Sequence, residues 1–284
     1  MYSKPVALFF FPEPPVISDV TSSFRTLPDN IRTGFTPNVI RQLNSAKAMQ
    51  INLHELYEGT NPSIKKITDI QFNSKSYINI SKSVRALFGV TLKKQKSIKK
   101  ANNLFEVWRE CLYKIGIFVF KAPFKDDSVS GFCIYDNEFP IIYINNSLAH
   151  TRQNFTLFHE LYHIIKNVSG VDFVDDGFLT SYEDSYNIST EYECNDFAGE
   201  FLVPTHDFMG MSSGKEISEN FISYLASQYG VSRQVILLKL FRNNMISYKM
   251  YNEKKEEYVE DYLRVKEYKK TNGGGNYYTN QLTY

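Results

Sequence analysis

The sequence predicts an α+β fold. A small β-sheet is set against a helix bearing two histidines and a glutamate, and a second acidic helix faces the first. Helical N-terminal and helix-turn-helix-like C-terminal parts flank this core. Three observations carry the prediction. His159-Glu160-Leu161-Tyr162-His163 lies in a stretch of helical periodicity, short aromatic and β-branched runs precede it, and helically spaced apolar residues recur on both sides. With 284 residues, 43% of them hydrophobic, the chain is long enough for a sizeable core and two or three modules.

The elements follow in chain order. Residues 1–72 form an N-terminal mixed or helical module: a β-prone run at Val6 to Phe11, then a helix over Thr36 to Tyr57, where Val39, Leu43, Ala46, Met49 and Leu53 keep one face. The core, 73–212, opens with a helix over Tyr77 to Phe88. Lys93, Lys94, Lys96, Lys99 and Lys100 follow as a solvated linker or helix approach. Next come a helix over Asn102 to Lys114 and strands at Ile117 to Phe120, Phe132 to Tyr135 and Ile141 to Ile144. Ile142 to Asn145 is the expected edge against which an extended peptide adds as a further strand. Ser147 is the expected N-cap of the histidine helix, and Gly170 lies just past its end.

H-E-x-x-H on a helix has a specific chemical meaning. Positions i and i+4 project from one face, so His159 and His163 can grip one zinc ion while Glu160 stands beside the open coordination position as general base. Such a site needs a third protein ligand. In the segment from Thr190 to Pro204, Glu191 shares a helix face with Cys194, Asn195 and Ala198 and is the expected ligand. Glu193 is the alternative, although Thr190-x-x-Glu193 reads as a capping box. Cys194 could in principle bind zinc, but a lone cysteine on an apolar face is expected in the core.

Gly131 to Tyr135, Pro140 to Asn146, Arg152 to His163 and Glu191 to Pro204 together resemble the core of the ImmA/IrrE family of metallo-endopeptidases. The resemblance implies a zincin-like metallopeptidase core, with Zn2+ held by His159, His163 and Glu191 and with Glu160 as catalytic base. It also implies a protein substrate, such as a helix-turn-helix repressor of a mobile element or an antitoxin-like DNA-binding protein. Tyr162 departs from the family pattern, which usually has Gly there; its ring is expected to crowd the neighbouring backbone or narrow the cleft. An alternative function keeps the zincin-like fold but captures a partner or DNA without proteolysis.

Val171 to Ser189, with Asp172, Asp175, Asp176, Glu183 and Asp184, reads as an acidic aromatic loop between the two metal-bearing helices. Tyr182, Tyr186, His206 and Arg152 are candidates by type for stabilising an oxyanion. His54 and His150 lack ligand-like spacing. Residues 213–270 form the helix-turn-helix-like module, centred on Tyr229-Gly230-Val231-Ser232. Arg233, Lys239 and Arg242 offer too few cations for DNA binding on its own. The tail, 271–284, is rich in Gly, Tyr and Asn.

A net charge of +1 provides no global field toward nucleic acid or anionic lipid. Cys111, Cys133 and Cys194 have no C-x-x-C spacing, which fits a reducing compartment. The N-terminal apolar run is too short for a membrane span. The expected location is therefore the cytoplasm.

Overall fold

A computed structural model of the chain describes residues 35–173 and 187–271. Ten helices and four strands occur among them. The first helix, α1 (Pro37–Leu56), begins at Thr36, whose hydroxyl accepts from the Val39 amide at 3.3 Å. Then come α2 (Tyr77–Phe88), α3 (Leu92–Ser97), α4 (Ala101–Lys114), β1 (Phe118–Ala122), β2 (Val129–Ile134), β3 (Ile141–Asn145), α5 (His150–Ile165) and β4 (Gly170–Phe173). They are followed by α6 (Asn187–Leu202), α7 (Thr205–Ser212), α8 (Glu219–Tyr229), α9 (Arg233–Arg242) and α10 (Tyr248–Thr271). The β-prone run at Val6 to Phe11 and the Gly-rich tail lie outside the described residues, and no described helix is long and apolar enough to cross a membrane.

The sheet order is β1-β3-β2-β4, with β1 parallel to β3 and both remaining pairs antiparallel. Strand alternation divides the side chains between two cores. Cys133, Ile142 and Ile144 face the larger core with α4, α5 and α6, whereas Phe132, Ile134, Ile141 and Tyr143 face a smaller one with Val39, Leu43 and Ala46 of α1. Every residue of β2 and β3 is buried because both sheet faces are covered. β3 therefore does not form the edge expected for Ile142 to Asn145: its main chain is occupied on both sides, by β1 and β2. Among the described residues, β1 and β4 are the edges.

α5 rests on β2. An added Cβ at Gly131 would stand 2.6 Å from Thr156 Cγ2 and 2.7 Å from the Tyr143 carbonyl, so the missing side chain lets the helix approach. The N-cap of α5 is Ala149, two residues after the expected Ser147, whose amide is held by Asn145 Oδ1 at 3.1 Å in the preceding turn. At the other end, Asn167 takes the left-handed conformation (φ 61°), with its own amide bonded to the Ile164 carbonyl and that of Val168 to His163. This paired closure is a Schellman motif. Gly170 consequently starts a strand instead of ending the helix, and Asp172 is a buried strand residue instead of a loop residue. Asp175, Asp176, Glu183 and Asp184 of the expected acidic loop lie outside the described residues.

α6 pairs with α5 through repeated contacts one helical turn apart. Phe158 stacks on Phe201 (centroids 4.0 Å), Tyr162 stacks on Phe197 (4.7 Å), and Lys166 pairs with Glu193 (2.7 Å). Trp108 of α4 closes edge-on against both Phe158 and Phe201 at 5.4 Å, and the Arg85 guanidinium lies 4.5 Å from the Phe201 centroid.

The C-terminal helices join this same core. Gly230 supplies the left-handed turn (φ 71°) between α8 and α9, where a Cβ would meet Leu104 at 2.7 Å, and Ser232 caps α9 by accepting from the Val235 amide. Five residues of α9 are buried, from Val235 to Leu238 and at Leu240. Its three cations all have acidic partners: Arg233 with Glu219 and Asp261, Lys239 with Glu200, and Arg242 with Asp196. The buried Gln95 side chain donates to the Leu202 and Tyr229 carbonyls and so ties α3 to the ends of α6 and α8.

Candidate metal centre

The candidate metal centre is built where α5 and α6 face one another. The histidines at i and i+4 on α5 bring their Nε2 atoms to 3.2 Å, and both rings are buried. Glu191 spans them from α6, with Oε2 3.1 Å from His159 Nε2 and Oε1 3.3 Å from His163 Nε2. Tetrahedral ligands about 2.0–2.1 Å from a zinc ion stand roughly 3.3–3.4 Å from one another. The three side chains therefore have the mutual spacing of ligands around one small cation. Asn195, one turn after Glu191, accepts from His159 Nδ1–H at 2.9 Å, which fixes the tautomer that leaves Nε2 free to coordinate. The Cys194 sulfur also belongs to the local donor group with His159 and His163, all atoms within 4.8 Å.

Glu193 is directed elsewhere. Its carboxylate takes the Tyr162 hydroxyl at 3.2 Å and Lys166 Nζ at 2.7 Å, away from the imidazole pair. The expected Thr190-Glu193 capping box does not form, because α6 already begins at Asn187 and Thr190 is inside it. Tyr162 is fully buried on this same flank and stacked on Phe197, so its ring fills the space between the helices and does not narrow a cleft.

Glu160 is fully buried, and neither carboxylate oxygen has a hydrogen-bond partner among the described residues. A buried unpaired carboxylate is costly unless a charge or a ligand answers it. Burial raises its pKa; the nearby His163 and His159 charges oppose that, and the result is about 7. Burial works against protonating His159, but the Asp172, Glu191 and Glu160 carboxylates outweigh it and lift its pKa to about 9. Burial would likewise raise Glu191, yet His163 and His159 hold it well below the usual carboxylate range. Glu160 and Glu191 thus favour positive charge at this point, and two imidazoles with Glu191 form a donor set that could hold a divalent cation there.

β4 borders the site. A Cβ on Gly170 would stand 2.4 Å from His163 Cδ2, so the ring packs directly on the strand's backbone. Asp172, next but one, receives Arg152 at 2.7 Å and the Thr156 hydroxyl at 2.7 Å, bolting β4 to α5. Arg152 also donates to Ser130 and is thereby held as a structural link. Gly170, Asp172 and Asn195 are site residues that motif reading misses, although Asn195 is detectable as the next same-face position after Glu191. Among the remaining oxyanion candidates, Tyr182 and Tyr186 lie outside the described residues, and His206 is exposed on α7. His54 and His150 are exposed, and His54 lies edge-on to Phe139.

Residues 113–241 match the family model of the IrrE N-terminal-like domain, Peptidase_M78. A comparison with curated proteins gave no match.

Two expected outcomes follow from the geometry. Gly170→Ala should displace the His163 ring and weaken zinc binding by about 10–100-fold, the range for disturbing a ligand's support, with far-ultraviolet circular dichroism unchanged; undiminished affinity in a competition titration would contradict the packing. The second concerns pH. His159 has a folded pKa of about 9 against an ordinary value of 6.5, so its contribution to metal-free stability is complete below pH 6.5 and is lost as pH rises toward 9. Zinc binding replaces that proton. The melting-temperature gap between zinc-loaded and chelated protein should therefore widen over this window by at least roughly 2–4 °C, the equivalent of about 1 kcal/mol in a large domain. A gap that narrows with rising pH would contradict the assignment.

Proposed function

We propose that this chain, whose residues 113–241 match the IrrE N-terminal-like domain and which resembles the ImmA/IrrE metallopeptidases, is a zinc-dependent endopeptidase that cleaves a regulatory DNA-binding protein. The carrying observation is the convergence of His159, His163 and Glu191 beside the unpartnered, buried carboxylate of Glu160. When bound there, zinc supplies Lewis acidity, acidifying a coordinated water and polarising a peptide carbonyl.

The chain's own residues supply the remaining roles. Glu160 is the general base that takes the water's proton, and as its conjugate acid it delivers that proton to the departing amine. Its raised pKa suits both duties, because neither form lies far from neutrality. Asn195 holds His159 in the coordinating tautomer, and the Arg152-Asp172-Thr156 link keeps β4 against α5. β4 is an edge strand whose first residue touches His163, so an extended substrate segment adding to it would run past the metal.

The substrate class, a helix-turn-helix repressor or antitoxin-like protein, rests on the family likeness. The alternative, capture of a partner or of DNA without proteolysis, finds less support in α8 and α9, because α9 is largely buried and its three cations are paired within the chain. Zinc fits the two-imidazole, one-carboxylate donor set.

Glu160→Gln should retain one zinc per chain while cleaving a candidate repressor or antitoxin about 10²–10⁴-fold more slowly, the usual contribution of a positioned general base. Single-turnover cleavage followed by electrophoresis checks it. Equal rates for both proteins would discard the hydrolytic role.

A further inference from the structure

Glu191, Cys194 and Asn195 stand at i, i+3 and i+4 on α6 and so present one face to the imidazoles. Glu191 spans the two Nε2 atoms and Asn195 engages His159 Nδ1. Between them, the Cys194 sulfur lies within 4.8 Å of a ring nitrogen of each histidine. Of the other two thiols, Cys111 donates to the Phe88 carbonyl at 3.9 Å, and Cys133, which neighbours Glu160 from β2, donates to the Val168 carbonyl at 3.8 Å.

The two anionic donors of α6 differ in depth. The Glu191 side chain as a whole keeps some exposure, whereas Cys194 is fully buried. Glu160 itself is the second sign of a ligand at this point, being wholly buried with both oxygens unpartnered among the described residues.

We propose that Cys194 is a fourth protein ligand of this metal centre, giving a closed state of two imidazoles, one carboxylate and one thiolate that alternates with the open three-ligand state. The inference rests on the metallopeptidase reading and adds a regulatory state to it. Zinc and cobalt accept thiolate readily, and a metal–sulfur bond of about 2.3 Å places sulfur roughly 3.5 Å from the imidazole nitrogens. Closure therefore needs a shift of at most about 1.3 Å from the 4.8 Å limit of the present group. In that step the S–H bond breaks, a sulfur–metal bond forms, the proton passes to solvent and the water held at that position is released. No oxidant or reductant is required. The closed state retains the metal but has no position for water or a substrate carbonyl.

The test uses the full chain loaded with Co2+ in place of zinc, as wild type, Cys194→Ala, Cys194→Ser and Cys111→Ala. Wild type and Cys111→Ala should bind one cobalt and show the near-ultraviolet sulfur-to-cobalt charge-transfer band. The Cys194 variants should bind one cobalt and lose that band. Stoichiometric cobalt in wild type with no such band, or a band that survives in a Cys194 variant, overturns the proposal and leaves the metallopeptidase reading standing. Wild type that takes up neither cobalt nor zinc removes both. If the alanine variant does not fold, the near-isosteric serine variant and the wild-type spectrum decide the matter.

Discussion

The centre depends on the register between α5 and α6. Phe158 on Phe201, Tyr162 on Phe197 and Lys166 on Glu193 advance one turn at a time along two helices running in opposite directions. This ladder occupies one flank of the helix pair and fixes how far each helix slides along the other. The adjoining faces then meet in only one way, with His159 against Asn195 and both imidazoles against Glu191. Aromatic packing and one ion pair thus position the polar groups of the centre. A shift of one residue in either helix would rotate the donors apart by about 100°.

The same register explains residues that appear anomalous in the sequence. Tyr162 lies inside the metal-binding motif but belongs to the packing ladder, with its ring against Phe197 and its hydroxyl at Glu193. Glu193 sits two residues from Glu191 and therefore projects from another side of α6, where it meets Lys166. Two neighbouring acids on one helix consequently have different surroundings. One is held ionised by imidazoles, and the other joins the helix pair from outside.

Much of this architecture was legible from periodicity. Helices α1, α2, α4 and α5 are marked by apolar spacing, and the three strands before α5 by short aromatic and β-branched runs. The preference for Glu191 came from asking which positions share a face with Cys194, Asn195 and Ala198. What remained hidden depends on contacts between distant segments. Strand order is not encoded in any one strand, so β3 gave no sign that β1 and β2 would enclose it. The cap of α5 passed from Ser147 to Ala149 because the Asn145 side chain claims the Ser147 amide, and Asn167 closed the helix before Gly170 was reached. Gly170 and Asp172 were hidden for the same reason: their importance lies in touching His163, Arg152 and Thr156, which belong to another element.

The central claim is that a single divalent cation joins α5 to α6 through two imidazoles and Glu191. X-ray absorption at the zinc edge, on full-length protein dialysed after zinc loading, tests it most directly. The account predicts one zinc per chain, with two imidazole scattering patterns and ligand distances of about 2.0–2.1 Å for nitrogen and oxygen. Zinc lost on dialysis, or retained in a shell without imidazole, would contradict it.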